Sequence, residues 1–320
     1  MSKAGPATDR DMMRLVAELY YIRDLRQPVI AELTGFSISK VSRLLAQARE
    51  AGVVRIAVEP ASEERPALAD ELAKRFGIEV LITPGRELDP AAAARLSGVA
   101  AADVVIRELP ESGIVGVAAG FTVGAMASAL PQRSLPGLTV MPLVGGWDAQ
   151  LEFLDGNQLT RRIADRLGAT PLFLHAPAVL DTPEMKDALL RDSAISETTA
   201  RWVSLDLAIV GVGGGPESHP GYRTVVDRLG DSFRQELASM DVVGDLAGHF
   251  FREGGTFVEE PWDRRIIAIA IEDLRRVPRV VAIAAGAPKA AAILGALRTH
   301  VIHVLITDRS TGEAVLKLAG

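Results

Sequence analysis

Lys289 closes the run Ala284-Ala285-Gly286-Ala287-Pro288-Lys289, which follows an apolar stretch and opens a helical pattern. An ammonium in the first turn of a helix opposes the helix dipole, and a bound anion would relieve it. Two further glycine-containing loops sit between an apolar run and a helical pattern. One is Gly116-Val117-Ala118-Ala119-Gly120-Phe121-Thr122-Val123. There Gly120 lets backbone approach an anion, and Thr122 offers a hydroxyl beside the next helix's N-terminus. The other is Pro142-Leu143-Val144-Gly145-Gly146-Trp147, ahead of a helix that opens near Asn157. Each loop can also be an ordinary tight turn between strand and helix. Two carboxylates add acceptors suited to hydroxyl groups: Asp245 in a glycine-flanked segment, and Glu272, followed by Asp273, which reads equally as a helix start.

Other chemistries find no support. Cysteine is absent, which removes disulfides, thiolate metal sites and cysteine nucleophiles. Gly211-Val212-Gly213-Gly214-Gly215-Pro216 resembles a dinucleotide fingerprint, but Pro216 stands where glycine or alanine must open a helix. No Gly-Lys-Ser/Thr motif is present. Of the five histidines, only His300 and His303 are closely spaced, and packing explains that pair as well as a metal would. The expectation is no catalytic residue, no metal and no cofactor.

A different chemistry is expected near the N-terminus. From Ser37 to Arg49 the chain carries Lys40, Arg43 and Arg49 and no acid. Ser37 or Ser39 can cap a helix there, with Val41, Leu44, Leu45 and Ala48 as its buried stripe and Ile38 also holding it to its neighbours. Pro28–Thr34 reads as a shorter helix burying Val29, Ile30 and Leu33, and Gly35 supplies the left-handed turn between them. Asp9–Asp24 forms a third helix, with Met12, Leu15, Val16, Leu19 and Tyr20 on one side. This is the layout of a helix-turn-helix, in which Ser37, Ser39, Lys40, Ser42 and Arg43 would meet DNA. Val53–Val58 could add one strand of a wing.

Positioning the strand-end loops is the task of the remainder. Strands are expected at Glu79–Ile82, Ile114–Val117, Leu138–Leu143, Leu172–His175, Leu207–Val212, Ile266–Ile271, Val280–Ala284 and Val301–Thr307. Helical patterns lie between them at Ala91–Arg107, Phe121–Leu130, Gly156–Leu167, Met185–Arg191 and Lys289–Leu297. Continuously apolar strands alternating with helices predict a doubly wound, mostly parallel α/β sheet. The organisation expected is a helix-turn-helix domain over 1–58, a linker over 59–67 and an α/β effector domain over 68–320.

The 320 residues carry a net charge of −6, unfavourable for a nucleic-acid binder taken whole. The charge is uneven, however. Residues 1–59 hold nine basic and seven acidic side chains, and the rest holds 26 and 34. Local charge governs how a small module docks on phosphate. Arg10, Asp11, Arg14 and Glu18 interrupt any signal-peptide core, and no apolar run is long enough to span a membrane. A cytoplasmic location is expected.

Together these residues resemble the SorC-type family of bacterial sugar-operon regulators, grouped with DeoR-like sugar-binding regulators. The resemblance covers nearly the whole chain. It rests on Val41-Ser42-Arg43-Leu44-Leu45-Ala46-Gln47-Ala48-Arg49-Glu50-Ala51-Gly52-Val53-Val54-Arg55-Ile56, then Pro142–Gly146, Asn157-Gln158-Leu159 and Val243-Gly244-Asp245. It ends with Ile271-Glu272-Asp273-Leu274-Arg275-Arg276-Val277-Pro278-Arg279-Val280-Val281 and Lys289-Ala290. The resemblance implies a ligand-responsive transcriptional regulator of a carbohydrate operon, with a sensor domain built like sugar-phosphate isomerases. Its implied partners are operator DNA, a sugar phosphate or related polyol as effector, and copies of itself, as a dimer or tetramer. Gly120, Phe121, Thr122, Val123 and Lys289 would surround the phosphate. Gly145, Asn157, Asp245 and Glu272 would lie near the rest of the ligand. Ala118 and Ala119 depart from the family's hydroxyl-bearing loop, which shifts anion binding onto backbone N–H groups and Lys289. The alternative is a sugar-phosphate isomerase or deaminase carrying an extra helical module.

Overall fold

The computed structural model describes residues 9–54, 67–84, 89–147, 155–215, 235, 239–258 and 262–320. The chain divides into two compact units, Met1–Glu64 and Arg65–Gly320.

In the smaller unit α1 (Asp9–Ala17) runs on through a π-helical stretch, Glu18–Ile22. Then come α2 (Gln27–Thr34) and α3 (Ile38–Glu50). Gly35 ends α2 with φ of 71°, a left-handed turn that glycine adopts without steric cost. Val16, Ile30, Ala31, Val41, Leu44 and Leu45 form the core, ringed by Met12, Met13, Leu19, Tyr20, Leu25 and Phe36. The expected stripes were too generous, since Leu15, Val29, Leu33 and Ile38 are exposed. Three short helices enclose little volume, so the outer members of each stripe stay at the surface. The expected strand from Val53 lies outside the described residues beyond Val54, as do the linker residues 59–66.

The larger unit begins with α4 (Ala67–Phe76), β1 (Glu79–Thr83) and α5 (Pro90–Glu108). It continues through β2 (Gly113–Val117), α6 (Phe121–Ala129), β3 (Leu138–Pro142), α7 (Gly156–Leu167) and β4 (Thr170–Pro171). Two short helices follow, α8 (Pro183–Leu190) and α9 (Ser193–Thr199), ahead of β5 (Leu207–Gly214). The hairpin β6 (Val242–Leu246) and β7 (His249–Arg252) leads to α10 (Ile271–Arg276) and β8 (Arg279–Ile283). The chain closes with α11 (Ala290–Arg298), β9 (Val304–Asp308) and α12 (Arg309–Ala319).

Seven of these strands pair in parallel in the order β1-β9-β8-β5-β2-β3-β4, and β6 adds antiparallel to the end of β5. The sheet is buried on both faces, as its continuously apolar strands require. Val115, Val117, Leu207, Ile209, Val281 and Ile283 face a layer supplied by α5, α6 and α7. The alternate residues Ala208, Val210, Val212, Val280 and Ala282 face the other layer, which includes Ile293 and Leu294 of α11.

Two expected strands are corrected. Leu172–His175 is irregular after the two-residue β4, and Ile266–Ile271 forms only isolated bridges before α10 begins. Its backbone bonds are shared between two neighbours: Ile267 N–H donates to Ala178 O and Ile269 N–H to Leu143 O. The β6–β7 hairpin was not anticipated. Its turn, Ala247-Gly248, has positive φ at both residues (48° and 87°), and an alanine there lacks the Asn-Gly or Asp-Gly signature of such turns.

Two polar anchors hold the ends of the sheet. At the amino ends Arg279 donates to Glu108 (2.6 and 3.1 Å) and to Glu79 (2.6 Å). The Glu108 hydrogen bonds are the largest influence holding the guanidinium charged. At the carboxyl ends the buried Asp308 caps α12 and accepts from the N–H of Gly286 at 2.8 Å. Burial opposes its charge, but hydrogen bonds from Ser310, Thr311 and Gly286 outweigh that and hold its carboxyl below the usual range.

Ile209→Ala should destabilise the larger unit by roughly 2–5 kcal/mol, because the side chain is fully buried beneath the α5–α7 layer. Val203→Ala, at an exposed position, should change it by less than about 0.5 kcal/mol. Urea unfolding of both variants checks the contrast. Asp308→Asn should cost about 1–3 kcal/mol near neutral pH. A lowered carboxyl pKa stabilises the fold above the unfolded value near ~3.9, and that contribution fades as pH falls through the lower folded value. The deficit of the variant in melting temperature should therefore shrink as the pH is taken below about 4.

Candidate functional site

After β2 the chain moves outward to β3, and after β5 it moves the opposite way to β8. The winding reverses between these adjacent strands, paired through Val115–Leu207 and Val117–Ile209. Open α/β sheets bind ligands in the crevice outside the carboxyl ends at such a reversal.

Three successive residues of β5 each meet one of the candidate groups there. Gly211 lies against Thr122: a Cβ built on it would sit 3.8 Å from Thr122 Oγ1. The carbonyl of Val212 accepts from Lys289 Nζ at 2.9 Å. Gly213 pairs with Asp245 on β6, and a Cβ there would come within 1.6 Å of Asp245 Oδ1. Glycine is thus what lets the Asp245 carboxylate lie over the strand. Burial pushes that carboxyl upward, and the Gly248 N–H, Lys289 and His249 pull it back. Lys289 mirrors it, since burial lowers its pKa and Asp245 opposes the change. Each charge therefore helps to keep the other ionised in a partly dehydrated place.

The loop Ala118–Gly120 leads into α6 beside this pair. Gly120 is extended, and nothing lies within 4 Å of where its Cβ would be. Gly124 N–H donates to Gly120 O at 2.8 Å, which makes the preceding N–H groups those of a helix end. The Thr122 hydroxyl does not project toward a ligand. It is buried and donates to Ile283 O at 2.6 Å, tying α6 to β8. The side chain of Val123 lies in the core, which leaves its backbone as its polar resource. Phe121 is half-buried.

Gly145 and Asn157 act on the neighbouring wall. A Cβ at Gly145 would come 2.5 Å from Pro177 O, and its N–H donates to Ile267 O. The Asn157 amide brackets Leu174, donating to its carbonyl and accepting from its N–H, both at 3.0 Å. Both residues bring irregular segments close to the sheet.

Glu272 goes elsewhere. It lies in the first turn of α10 and lines a cavity of about 440 Å³ with Lys186, Asp187, His249, Asp263 and Arg264. None of Gly120, Thr122, Asp245 or Lys289 lines that cavity. His249 is buried in its wall, with Nε2 2.7 Å from Ile269 O and Nδ1 3.0 Å from Asp263 Oδ1. A carbonyl only accepts, so Nε2 donates, and both ring nitrogens are engaged within the protein. This histidine–aspartate pair escaped the sequence reading, because 14 residues separate the partners and no motif marks them. His303 is a packing residue: its Nδ1 accepts from Val280 N–H at 3.1 Å.

In the smaller unit Ser37 caps α3, its hydroxyl accepting from Lys40 N–H at 3.2 Å. The Ser37 and Ser39 hydroxyls lie 3.0 Å apart, and Lys40 Nζ sits 4.0 Å from the centre of the Phe36 ring. Ser39, Ser42 and Arg43 are exposed on the same helix. Serine and basic side chains at the start of a capped helix form a surface suited to phosphate oxygens and base edges.

Residues 62–317 match the model of the family described as "Putative sugar-binding domain". The chain is 31% identical to the sorbitol operon regulator of Klebsiella pneumoniae, over 94% of this chain and 96% of that protein. It is 26% identical to the erythritol catabolism regulatory protein EryD of Brucella abortus, over 96% and 97% of the two chains. The crystal structure of full-length SorC from Klebsiella pneumoniae superposes with a TM-score of 0.78, at 30% identity and over 97% and 99% of the chains. With a parallel sheet, glycine-walled strand ends and likeness along nearly its full length, the chain belongs to the sugar-binding family of SorC-type transcriptional regulators.

Proposed function

We propose that this regulator binds operator DNA through α3 and a carbohydrate effector in the crevice between β2 and β5, and that it catalyses nothing. The observation that carries the effector reading is the Lys289–Asp245 pair held over Val212 and Gly213 at the reversal of the sheet. An ammonium held at Val212 and a carboxylate over the next residue, Gly213, offer donors and acceptors to the hydroxyls of one ligand. The α6 N-terminus at Thr122 and Val123 offers N–H groups and a favourable dipole to a phosphate. Gly145 and Asn157 shape the wall through backbone contacts. The relatives named for sorbitol and erythritol favour a polyol or its phosphorylated derivative.

The enzymatic alternative needs a titratable group aimed at the ligand. His249 does not meet that need, because both of its ring nitrogens are held in hydrogen bonds within the protein. The named relatives are regulators, which favours the same reading. A cytoplasmic, homo-oligomeric protein follows from that role, since symmetric dimers read paired half-sites about one helical turn or a multiple apart. Among the described residues no helix is long and apolar enough to cross a membrane. Effector binding would alter operator affinity by a factor of ~5–150, the usual range of allosteric coupling.

For the DNA reading, Lys40→Ala with Arg43→Ala should abolish operator retention in a gel-shift assay while effector-induced stabilisation persists. Loss of both together would show a folding defect and remove the assignment. For the crevice, a bound sugar phosphate should add about 2.7 kcal/mol of stability at a hundredfold excess over its Kd. Thermal melting against phosphorylated sugars should show that gain in the wild type and lose it in Lys289→Ala. A gain that survives Lys289→Ala would refute the crevice as the effector site.

A further inference from the structure

The cavity between α8 and α10 stands apart from the crevice and has a chemistry of its own. Its volume of about 440 Å³ falls within the range of small-molecule sites. Ile266, Ala268 and Ile271 contribute apolar surface. Lys186 comes from α8, half-buried, with Nζ donating to Asp263 O at 2.6 Å. Arg264 supplies a second cation, and Asp187, Asp263 and Glu272 supply three carboxylates. One carboxylate oxygen of Asp263 is engaged by His249.

The cavity wall carries charges of both signs, so an ion of either sign meets repulsion as well as attraction. A phosphate would meet three carboxylates beside its two cationic partners, and an amine would meet Lys186 and Arg264 beside the three carboxylates. A neutral polyhydroxylated molecule offers a donor and an acceptor on each hydroxyl. It can donate to Asp187 and Glu272, accept from Lys186 and Arg264, and rest its C–H face on the apolar surface. Hydrogen bonds to charged partners are the stronger kind, and an uncharged ligand meets them without bringing a charge of its own out of water.

We propose that the cavity lined by Lys186, Asp187, Arg264 and Glu272 is a second ligand site, specific for an unphosphorylated polyol or sugar and separate from the Lys289–Asp245 crevice. The two sites share the β6–β7 hairpin. His249 is the first residue of β7 and a wall of the cavity, and the preceding Gly248 holds Asp245 through its N–H. Occupancy of one can therefore bias the other through the hairpin, and any such coupling must be reciprocal.

The test is thermal melting and calorimetric titration of the full chain with free erythritol, xylitol, D-glucitol, D-mannitol and D-fructose. Wild type, Lys289→Met, the double variant Asp187→Asn/Glu272→Gln, and Ala270→Trp are compared. Ala270 is exposed on the cavity rim, so a tryptophan there blocks the cavity without disturbing the core, and it serves if the double variant folds poorly. At least one of the five should bind wild type and Lys289→Met with Kd values within threefold of each other. Its affinity should fall at least tenfold in the double variant and in Ala270→Trp. No binding by any of the five, binding lost in Lys289→Met, or binding unchanged by Ala270→Trp would each overturn the proposal. Because sugar-phosphate binding in the crevice is read separately through Lys289, either site can fail without the other.

Discussion

The parallel ladder between β2 and β5 governs the architecture of the larger unit. Both strands are buried on both faces, so their backbone groups must pair with each other and cannot turn to water. Gly116 marks how tight the fit is: a Cβ there would come 2.3 Å from Leu143 Cδ2 and 3.0 Å from Leu205 Cδ1. With the ladder in place, chain connectivity sends β3 and β4 to one side and β8, β9 and β1 to the other. The loops that diverge at that point leave a gap, and every polar group gathered there stands at the end of a rigid strand or helix. Arg279, Glu108 and Glu79 secure the opposite ends of the strands, so the sheet is held at both edges.

Within that gap, close approach of backbone decides what chemistry is available. Gly213 admits the Asp245 carboxylate, and Gly244 passes over Gly213 where a Cβ would come 2.5 Å from its carbonyl oxygen. Lys289 reaches Val212 because Gly286, at a φ of 105°, turns the chain just before α11, with Asp308 bonding the Gly286 N–H from beneath. A sequence poor in hydroxyls at Ala118 and Ala119 thus still assembles a polar site from one ammonium, one carboxylate and backbone N–H groups. The cavity beside α8 uses the opposite recipe, with several charged side chains spread around an apolar floor.

The local rules of helices and strands were legible in the residues themselves. Gly156–Leu167 has the bounds its periodicity predicts, and Ser37 caps α3 as a serine before an apolar stripe should. Strand–helix alternation was enough for the parallel class of the sheet, because continuous apolar runs have few other uses. The misread segments share one feature. Ile266–Ile271 is continuously apolar like a buried strand but divides its backbone bonds between Ala178 and Leu143, and the β6–β7 turn puts alanine where asparagine or aspartate would be diagnostic. Local pattern reports propensity, and in both places tertiary contacts chose the conformation.

What the sequence alone determined is therefore the inventory: a basic capped helix, glycine-rich strand ends, one lysine at a helix start and two isolated carboxylates. What only the tertiary structure decided is which of them meet. Thr122 and Ile283 are 161 positions apart, and nothing local shows that the threonine hydroxyl is spent between them. Asp245 reaches the same end of β5 as Lys289 because a hairpin folds onto that strand, whereas Glu272 is carried by α10 into a different cavity with His249. The physical reason is range. Capping, turns and periodic burial act over a few residues, but the meeting of two charges depends on the packing of a sheet whose neighbouring strands lie far apart in the chain.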